Sequence, residues 1–552
     1  MLSAADVHVA ARLASLVGEE SESVRLAVAL AVRGPRLGHV FIDLATIRDT
    51  ASVESDEPVD LSALPWPPIE EWIVAVSGSA LVAVGEDGAG SADARPLRLL
   101  GTRLYLDRYW REERAVAADL NEMTGTGRLQ VIAGGPGTGK TTRVAHVVAE
   151  LIEQAVAADA RPPLVALAAP TGKAAARLQE AVHQETTRLA VGESVRQLLM
   201  GLRASTLHRL LGWKPGSHSR FAHDRGNRLP HDVVIVDETS MVSLSLMARL
   251  AEAVRPEARL ILVGDPGQLA SIEAGVVLGD IVGPGEGPGI VVLERVHRYG
   301  GGIAKLAGAI RGGDEDATVE ALGAAPGEIT WLPVDAHETD AGVELVRDRA
   351  VAAGLEVATA ARVGAAIEAL EALGRFRLLC AHRRGPYGVS DWTSRIRGWL
   401  APDIEDIEQR DYVGRPLLVT ENDYELGLYN GDTGVIVEGP GERPSAAFER
   451  GGEVLRFSPL RLGAVDTAYA MTIHKSQGSQ FDTAAVLLPP ASSRILTREL
   501  LYTAVTRARR ELILVGTEEA VRQAVARPVA RASGLRERLW GGTVSQTRPR
   551  RP

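Results

Sequence analysis

A glycine-rich turn between an apolar run and a helical pattern constrains this chain more than any other stretch. The turn lies within GTGRLQVIAGGPGTGKTTR, residues 125–143, and GGPGTGKT matches the pattern G-x-x-x-x-G-K-[ST]. Glycines let consecutive backbone N–H groups converge on phosphate oxygens, and the N-terminus of the following helix adds positive potential. The stretch therefore predicts a strand, a phosphate-binding turn and a helix, which is an α/β arrangement.

The residues of this turn have distinct expected roles. Lys140 would reach the β- and γ-phosphates of a nucleotide, and the Thr141 hydroxyl would bind Mg²⁺. The other residues that we expect around the nucleotide are Gly135, Pro136, Gly137, Thr138, Gly139 and Thr142. A chance glycine-rich turn is the alternative, and the flanking strand and helix patterns make it the poorer interpretation.

The pattern of the chain divides it into units, and its 552 residues correspond to about three or four domains. Residues 1–115 carry helical patterns and a β-like pair, ALVAVGE and LRLLGTRLYL, and are expected to form a helical N-terminal adaptor or partner-docking domain. Between residues 116 and 311, four short apolar runs, VIAGG, LVALAAP, VVIVDE and RLILVGD, alternate with helical segments, which predicts a parallel sheet covered on both faces. A polar rim insert is expected at about residues 212–231.

A second α/β unit is expected at residues 312–530, with strands at RLLCAH, AVLLP and ELILVG. The acidic, alanine-rich stretch DEDATVEALGAAPGEIT would connect it to the first unit. Residues 411–463, approximately, are rich in β-formers and in turn pairs such as Asn430-Gly431, which predicts a small β-barrel insert. Residues 531–552 are expected to be a flexible tail.

Charge and cysteine content narrow the class of protein. The formal net charge is −10, whereas nucleic-acid binders are usually basic, so a nucleic-acid site here would be a local groove or would be completed by a larger assembly. Cys380 is the only cysteine, which excludes an internal disulfide and a cysteine-based zinc site. Because no signal-peptide pattern and no apolar run of about 18 residues is visible, we expect a soluble, cytoplasmic protein.

Two adjacent carboxylates end another apolar run, VVIVDETS. Asp237 is expected to hold Mg²⁺ through water, and Glu238 to polarise a water that attacks a phosphoryl group. A plain helix cap is the alternative, but the phosphate turn earlier in the chain favours the catalytic interpretation. Gln268 follows one more apolar run, in LVGDPGQL, and is expected to sense the γ-phosphate or the attacking water and to link it to the neighbouring segment.

Two arginines are candidates for stabilising the charge that develops on the γ-phosphate. Arg298 lies in LERVHRYGG and Arg507 lies in LYTAVTRARREL, and bidentate guanidinium donors suit a phosphoryl group. A single arginine is most often a surface charge, so the argument for both depends on their place in the order of motifs. No nuclease constellation is visible in the sequence.

The motifs along the chain stand in a specific order. APTGKAA, STLHRLLG, VDETSM, GDPGQL, VHRY, MTIHKSQGSQFD and YTAVTRAR together resemble the superfamily 1 helicases, and within them the RecD group. The run Gly414–Ile436 is also RecD-like. The N-terminal HVAARLASLVGEE and LAVALAV, with LYLDRYWREE after them, are similar to RecD subunits of RecBCD (exodeoxyribonuclease V) complexes. The resemblance covers nearly the whole chain.

The resemblance implies a fold and an activity. It implies two RecA-like P-loop domains that close on ATP and Mg²⁺, an SH3-like β insert, and 5′→3′ movement along single-stranded DNA. It also implies DNA ends as substrates, RecB-like and RecC-like partners, and a role in double-strand-break repair and recombination. Gly478 and Gln480 would touch the nucleotide. DNA would lie against Pro170, Thr171, Lys173, Thr206, His208, Thr472 and His474.

Several alternatives stay open. The chain is alternatively a free-standing or conjugation-related RecD-like helicase, or an ATP switch that binds DNA or partners without unwinding. Thr206 is alternatively a simple N-cap, and His474 a satisfied buried histidine. One departure from the family concerns ADLNEMTGTGRLQVIAGG, where relatives usually have some tens of residues that include an adenine-reading glutamine. Gln130 lies too close to the phosphate turn for that role.

Overall fold

The computed structural model has the expected α/β class. The residues that it describes are 2–51, 61, 64–86, 95–214, 220–271, 273–283, 287–293, 301–337, 343–423, 425–439, 441, 443–450 and 453–541. Within these ranges, no helix combines the length and the apolar character needed to cross a membrane.

The N-terminal unit is helical, as expected, and also contains a small sheet. Its elements are α1 (Ala4–Val17), α2 (Glu22–Arg33), β1 (Phe41–Asp43), α3 (Ile47–Thr50), α4 (Ile69–Gly78), β2 (Val82–Val84), β3 (Leu97–Leu100) and β4 (Arg103–Leu106). Ser3 and Asp6 form a capping box that starts α1. The strand order is β1-β4-β3-β2, so the expected β-like pair is part of a four-stranded sheet.

The first RecA-like unit is built on a six-stranded parallel sheet. Its elements are α5 (Asp107–Gly125), β5 (Leu129–Gly134), α6 (Lys140–Ala157), β6 (Val165–Ala169), α7 (Gly172–Arg188), α8 (Glu193–Gly201), β7 (Ala204–Thr206), α9 (Leu207–Leu210), β8 (Val233–Val236), α10 (Leu244–Ala253), β9 (Arg259–Gly264), α11 (Val277–Val282) and β10 (Ile290–Leu293). The strand order is β10-β5-β9-β8-β6-β7, and every adjacent pair is parallel.

Both faces of this sheet are buried, which explains the continuous apolar runs of its strands. In β9, Leu260 and Leu262 enter the core shared with α5 and α10. Ile261 and Val263 enter the opposite core, shared with α6 and α7. The alternation follows from the two-residue period of a strand. The four strands expected from apolar runs here, β5, β6, β8 and β9, are confirmed.

The second RecA-like unit has a five-stranded parallel sheet in the order β11-β20-β19-β12-β18. Its elements, with those of the insert, are α12 (Gly301–Gly312), α13 (Glu315–Ala324), β11 (Ile329–Leu332), α14 (Glu344–Arg362), α15 (Ala366–Arg375), β12 (Phe376–Cys380), α16 (Val389–Leu400), β13 (Pro416–Val419), β14 (Thr433–Val437), β15 (Ser445–Arg450), β16 (Glu453–Phe457), β17 (Val465–Thr467), β18 (Ala470–Thr472), β19 (Phe481–Leu487), α17 (Arg498–Val505), β20 (Ala508–Val515) and α18 (Glu518–Ala526). The three expected strands correspond to β12, β19 and β20.

The β insert is an antiparallel sheet in the order β16-β15-β14-β13-β17. Val435 and Val437 of β14 face a core shared with α14 and α15. Ile436, between them, faces a second small core with Phe448. The expected β content is confirmed. The edge strands β16 and β17 are not paired with each other in the described residues, so the sheet is open where a barrel was expected.

The packing moves two expected domain boundaries. The boundary at residues 115 and 116 falls inside α5. Helix α12 precedes the boundary expected at residue 312, yet its Leu306 and Ile310 are buried in the core of the second unit. The alanine-rich stretch expected to be a connection is helix α13, which packs on α12 and α18. Ala321 and Leu322 bury one face of α13, which shows why this stretch folds.

The flexible tail expected from residue 531 is wrong for residues 531–541, which we call the C-terminal strap. Its helix α19 (Leu535–Trp540) packs against α5 and α11. Leu535 is fully buried, and the Trp540 indole Nε1 donates to the carbonyl oxygen of Asp280 at 3.0 Å. These apolar contacts anchor a segment that reads as polar and basic in sequence. Residues 542–552 lie outside the described residues.

Candidate nucleotide-binding cleft and DNA track

Parallel strands bring the expected site residues to one edge of the first sheet. The phosphate turn follows β5, Gln268 follows β9, and Asp237 and Glu238 follow β8. These three strands are adjacent, so their segments lie side by side at the carboxyl edge, where open α/β sheets bind ligands. Strands β6 and β7 come next in the sheet and lead to Pro170 and Thr206. The candidate DNA residues of the first unit are therefore neighbours of the candidate nucleotide residues.

The phosphate turn has the backbone that its glycines allow. Gly139 has a φ of 84°, a region that residues with a side chain rarely adopt. Thr138 Oγ1 donates to the carbonyl oxygen of Gly135 at 2.8 Å. Lys140 begins α6, and its Nζ donates to the carbonyl oxygens of Gly134 at 2.7 Å and Gly135 at 2.9 Å. The ammonium group therefore lies over the turn.

Asp237 and Glu238 form a close pair at the end of β8. Glu238 has a φ of 49°, and its N–H donates to Asp237 Oδ1 at 2.8 Å. Burial and the neighbouring Glu238 raise the pKa of Asp237 to about 6, while Lys140 acts in the opposite direction. Thr141 follows Lys140 in α6 and supplies a hydroxyl. The available donors are hard oxygen atoms, which suit Mg²⁺.

A hydrogen-bond network joins the two RecA-like units at the loop after β9. Asp265 Oδ2 accepts from Gln268 Nε2 at 3.1 Å and from the hydroxyl of Tyr502, in α17, at 3.0 Å. The backbone N–H of Leu269 donates to Thr503 Oγ1 at 3.0 Å. The expected link between Gln268 and a neighbouring segment thus consists of two hydrogen bonds, from Gln268 and from Tyr502, to the same carboxylate oxygen of Asp265.

Arg507 is buried inside the second unit. Its Nε donates to the carbonyl oxygen of Thr503 at 2.9 Å and its Nη1 to that of Ser479 at 3.1 Å. Ser479 lies between Gly478 and Gln480, so the expected arginine and the expected nucleotide contacts of this unit are neighbours. The structure places this guanidinium on internal carbonyl oxygens, and no hydrogen bond joins it to the phosphate turn among the described residues.

Two further arginines are candidate cationic groups of this site. Arg298 lies outside the described residues, so its role stays a prediction. Arg177 of α7 was not expected from the sequence. Its pKa is lowered to about 10, by desolvation first and then by Arg509, with Arg507 acting in the same direction and Glu238 opposing them. The Arg177 residue is nevertheless exposed, so these charge interactions alone indicate that it lies near candidate catalytic groups.

Two threonines of the expected DNA track cap helices. Thr171 Oγ1 accepts from the N–H of Ala174 at 3.2 Å, at the start of α7. Thr206 Oγ1 accepts from the N–H of Arg209 at 3.2 Å, at the start of α9. Thr206 is therefore an N-cap, and its contact with DNA stays a prediction. A capping hydroxyl uses an acceptor lone pair and keeps its O–H proton for another partner.

The two histidines of the track differ in exposure. His208 is exposed, and its ring centroid lies 5.9 Å from that of Phe221. His474 is half-buried, and desolvation followed by two nearby arginines lowers its pKa. Thr472 is 6% exposed, and its Oγ1 accepts from the N–H of Lys475 at 3.2 Å. A stacking surface is therefore visible at His208 and is less open at His474.

The tip of the β insert lies on the candidate DNA segment after β6. Lys173 Nζ donates to the carbonyl oxygen of Gly431 at 2.8 Å. The ring of Tyr429 covers Gly172 so closely that no Cβ fits there. Burial, and then Arg177, lower the pKa of Lys173 to about 7. The insert therefore contacts the candidate DNA segment directly, and no pattern in the sequence predicts this contact.

Sequence reasoning missed the residues that connect the units. Tyr502 lies in the motif YTAVTRAR and Asp265 lies in the motif GDPGQL, so these motifs were the sequence signal that could have identified the two residues. Their pairing spans more than 200 residues of chain and depends on how two domains meet. Tyr429 and Gly172 are likewise in contact although they lie far apart in the sequence. No periodicity or spacing within one element encodes such contacts.

Three family profiles match this chain. They are described as the N-terminal domain of RecBCD enzyme subunit RecD, over residues 1–105, an AAA domain, over 115–274, and a UvrD-like helicase C-terminal domain, over 467–515. These profiles, the two RecA-like sheets and the phosphate turn at the cleft between the sheets together identify the chain as a P-loop helicase of the superfamily 1 type.

The relatives narrow that class. RecBCD enzyme subunit RecD of Mycolicibacterium smegmatis is 48% identical over 569 residues, which covers 98% of each chain. This chain belongs to that RecD family. The ATP-dependent RecD2 DNA helicase of Deinococcus radiodurans is 31% identical over 77% of this chain and 52% of its own length. A structure of two coordinating Pif1 helicases at forked double-stranded DNA is similar with a TM-score of 0.40, 17% identity, and coverage of 78% of this chain and 97% of that one.

Proposed function

We propose that this chain is an ATP-dependent 5′→3′ DNA translocase and helicase, the RecD-type subunit of a RecBCD-like double-strand-break repair complex of the cytoplasm. One observation carries the proposal. Lys140, the Asp237–Glu238 pair and Gln268 stand at adjacent strand ends, and Tyr502 of the second unit reaches the same loop. A nucleotide site completed by a second domain can convert closure of the cleft into movement.

The ATP chemistry follows from the residues at these strand ends. Lys140 would contact the β- and γ-phosphates, and Thr141 and Asp237 would hold Mg²⁺. The bound ion supplies positive charge that offsets the phosphate oxygens, and the raised pKa of Asp237 beside Glu238 marks a place where a cation relieves repulsion. Glu238 would orient and polarise the attacking water. Arg507 would stabilise the developing charge after it leaves its internal carbonyl partners.

The DNA track would follow the ends of β6 and β7 and continue to Thr472 and His474. The exposed His208 ring beside Phe221 supports stacking of bases without sequence choice. Lys173 would contact a phosphate. Since nucleotide and DNA residues occupy neighbouring strand ends, alternating grip on the strand would accompany each ATP cycle.

Apolar side chains exposed on the N-terminal unit support a docking role. Val9 is 39% exposed and Leu16 is 66% exposed, and because they are seven residues apart they lie on one face of α1. Exposed apolar groups of this kind favour a partner surface, and RecB-like and RecC-like subunits are the proposed partners. The RecD N-terminal profile over residues 1–105 favours a complex subunit over a free-standing RecD-like helicase.

The test is unwinding of duplex DNA that carries either a 5′ or a 3′ overhang, by the chain alone and with RecB-like and RecC-like subunits. We expect ATP- and Mg²⁺-dependent unwinding from the 5′ overhang, lost in Lys140→Gln. Preference for the 3′ overhang would overturn the polarity. ATP hydrolysis without unwinding in the full complex would favour the ATP switch, and failure to co-purify with the RecC-like subunit would favour the free-standing helicase.

A further inference from the structure

The loop after β9 holds a buried polar atom without a partner. Gln268 is 6% exposed, and its carbonyl oxygen Oε1 has no hydrogen-bond partner among the described residues. A buried acceptor left unpaired costs about 1–3 kcal/mol. A folded protein retains few such atoms, and each one calls for an explanation.

Asp265 fixes the orientation of this amide. Gln268 Nε2 donates to Asp265 Oδ2 at 3.1 Å. A carboxylate oxygen only accepts hydrogen bonds, so turning the amide over would set two acceptors against each other. Asp265 is 1% exposed, and its Oδ1 accepts from the N–H of Gly267 at 3.0 Å. The carbonyl oxygen of Gln268 is therefore held away from Asp265 and is available to accept a hydrogen bond.

Tyr502 of the second unit supplies the remaining bond to this carboxylate. Its hydroxyl donates to Asp265 Oδ2 at 3.0 Å. A Cβ built on Gly135, in the phosphate turn, would lie 3.0 Å from that hydroxyl oxygen, and one built on Gly267 would lie 3.4 Å from the ring. Tyr502 thus lies between the phosphate turn and the Gln268 loop, although it belongs to α17.

We infer that Tyr502 is a positioning residue for ATP hydrolysis: its hydroxyl holds the Asp265 carboxylate, which presents Gln268 Oε1 to the attacking water. The inference rests on the proposed ATPase function and adds a residue from the second unit to its machinery. Because the hydroxyl arrives with that unit, hydrolysis is fast only when the two units meet. Tyr502 acts on the chemical step, so it affects kcat more than KM.

The loop has other anchors, so loss of this single hydroxyl does not release it. The N–H of Leu269 donates to Thr503 Oγ1 at 3.0 Å, and Gln477 Nε2 donates to the Leu269 carbonyl oxygen at 2.8 Å. Tyr502→Phe keeps the ring and its packing. A matched control is Tyr469→Phe, because Tyr469 is also buried and its hydroxyl bonds to Tyr412 at 2.8 Å.

The experiment measures DNA-stimulated ATPase of the full chain while MgATP is varied. In Tyr502→Phe, we expect kcat to fall by at least about tenfold, because misplacement of a reacting partner is costly, with KM for ATP within about twofold of wild type. Tyr469→Phe keeps the wild-type kcat. In a chain that already carries Gln268→Ala, Tyr502→Phe adds no further loss, because it acts through Gln268.

Two results would overturn the inference alone: wild-type kcat in Tyr502→Phe, or losses that multiply in the double variant. In both cases the wild-type chain would still hydrolyse ATP and Lys140→Gln would still abolish hydrolysis. Absence of DNA-stimulated hydrolysis in the wild-type chain would instead overturn the proposed function, and the inference with it.

Discussion

The contacts that join the two RecA-like units at their cleft differ in kind from the contacts that hold the C-terminal strap on the first unit. In the cleft, the bonds gather at one loop and leave Gln268 Oε1 unpaired among the described residues. At the strap, Glu113 is 0% exposed and both of its oxygens are used. Oε2 accepts from the N–H of Gly534 at 2.7 Å, and Oε1 accepts from Arg538 Nε at 3.0 Å.

The difference separates a movable join from a fixed one. A buried ion pair with all its bonds made is costly to break, because opening strands a desolvated charge. The bonds at the cleft loop are single hydrogen bonds without an ion pair, and water or nucleotide that enters as the cleft opens can replace them. The strap leaves the second unit after α18 and ends on the first, so it ties the two units together at a distance from the cleft. Changes in the cleft should therefore alter turnover, and changes in the strap should alter local stability.

The largest expected effect is on the cleft side of this comparison. Glu238→Gln removes the group that polarises the attacking water, and loss of a general base commonly costs about 10²–10⁴ in rate. We expect DNA-stimulated ATPase to fall by at least about a hundredfold, measured as kcat at saturating MgATP. Hydrogen exchange of the α19 amides should stay at the wild-type rate. Equal ATPase rates in the variant and the wild type would refute the catalytic assignment.

Glu113→Ala tests the strap side. It leaves the Gly534 N–H without its acceptor and Arg538 with only its second carboxylate, Glu86, which lies 2.8 Å from Nη2. We expect the opening of α19 to become easier by about 2 kcal/mol, measured by hydrogen exchange of the α19 amides. Glu113→Gln, which keeps an acceptor, should lose less. A fall in kcat without faster exchange would mean that the strap acts on the cleft.

The sequence predicts the parts of this fold that depend on local patterns. The apolar runs gave β5, β6, β8 and β9 because strands buried on both faces need continuous apolar sequence. The motif residues Lys140, Asp237 and Gln268 were expected in one site because of the resemblance to superfamily 1 helicases, and the structure brings them together because parallel strands share a carboxyl edge. Strands β7, β11 and β18 have three or four residues each, which is too short for a periodic signal.

The contacts between units were beyond sequence reasoning. The strap resembles a polar tail in sequence because its few apolar residues, Leu535, Leu539 and Trp540, stand among charged ones, and the surfaces that bury them lie on the distant helices α5 and α11. Arg507 was expected at the phosphate, yet its position is set by the carbonyl oxygens of Thr503 and Ser479. The bond from Tyr502 to Asp265 depends on the angle between two domains. Only the assembled tertiary structure contains that information.

Lys173 provides a pH-dependent test of the track beside the cleft. Burial, Arg177 and Arg377 lower the pKa of Lys173 to about 7, while Asp432 opposes them. In the protein without DNA, the Lys173 ammonium group therefore loses its proton as the pH rises through 7. A DNA phosphate favours the charged form. We therefore expect DNA binding to take up a proton, and affinity to rise about tenfold from pH 8.5 to 6.5 by linkage. Fluorescence anisotropy with a single-stranded oligonucleotide at constant salt measures it.

Lys173→Arg is the matched control, because a guanidinium stays charged over this range. This variant should bind DNA with an affinity that changes little between pH 6.5 and 8.5. An unchanged pH profile in Lys173→Arg would assign the effect to other groups, such as His208 or His474. It would also show that Lys173 is not the group that takes up a proton when DNA binds.

The smallest expected effect comes from the rim of the strap. Arg103 and Glu537 form a two-point pair, with Nη1–Oε2 at 2.6 Å and Nη2–Oε1 at 2.8 Å, but their side chains are 35% and 65% exposed. Exposed pairs contribute about 0.5 kcal/mol because water and salt screen them. Glu537→Ala should therefore speed hydrogen exchange in α19 only about twofold, and less at high salt. If Glu537→Ala sped hydrogen exchange in α19 as much as Glu113→Ala does, the number of charges in the strap would matter more than their burial. Desolvation would then not be what distinguishes the fixed join from the movable one.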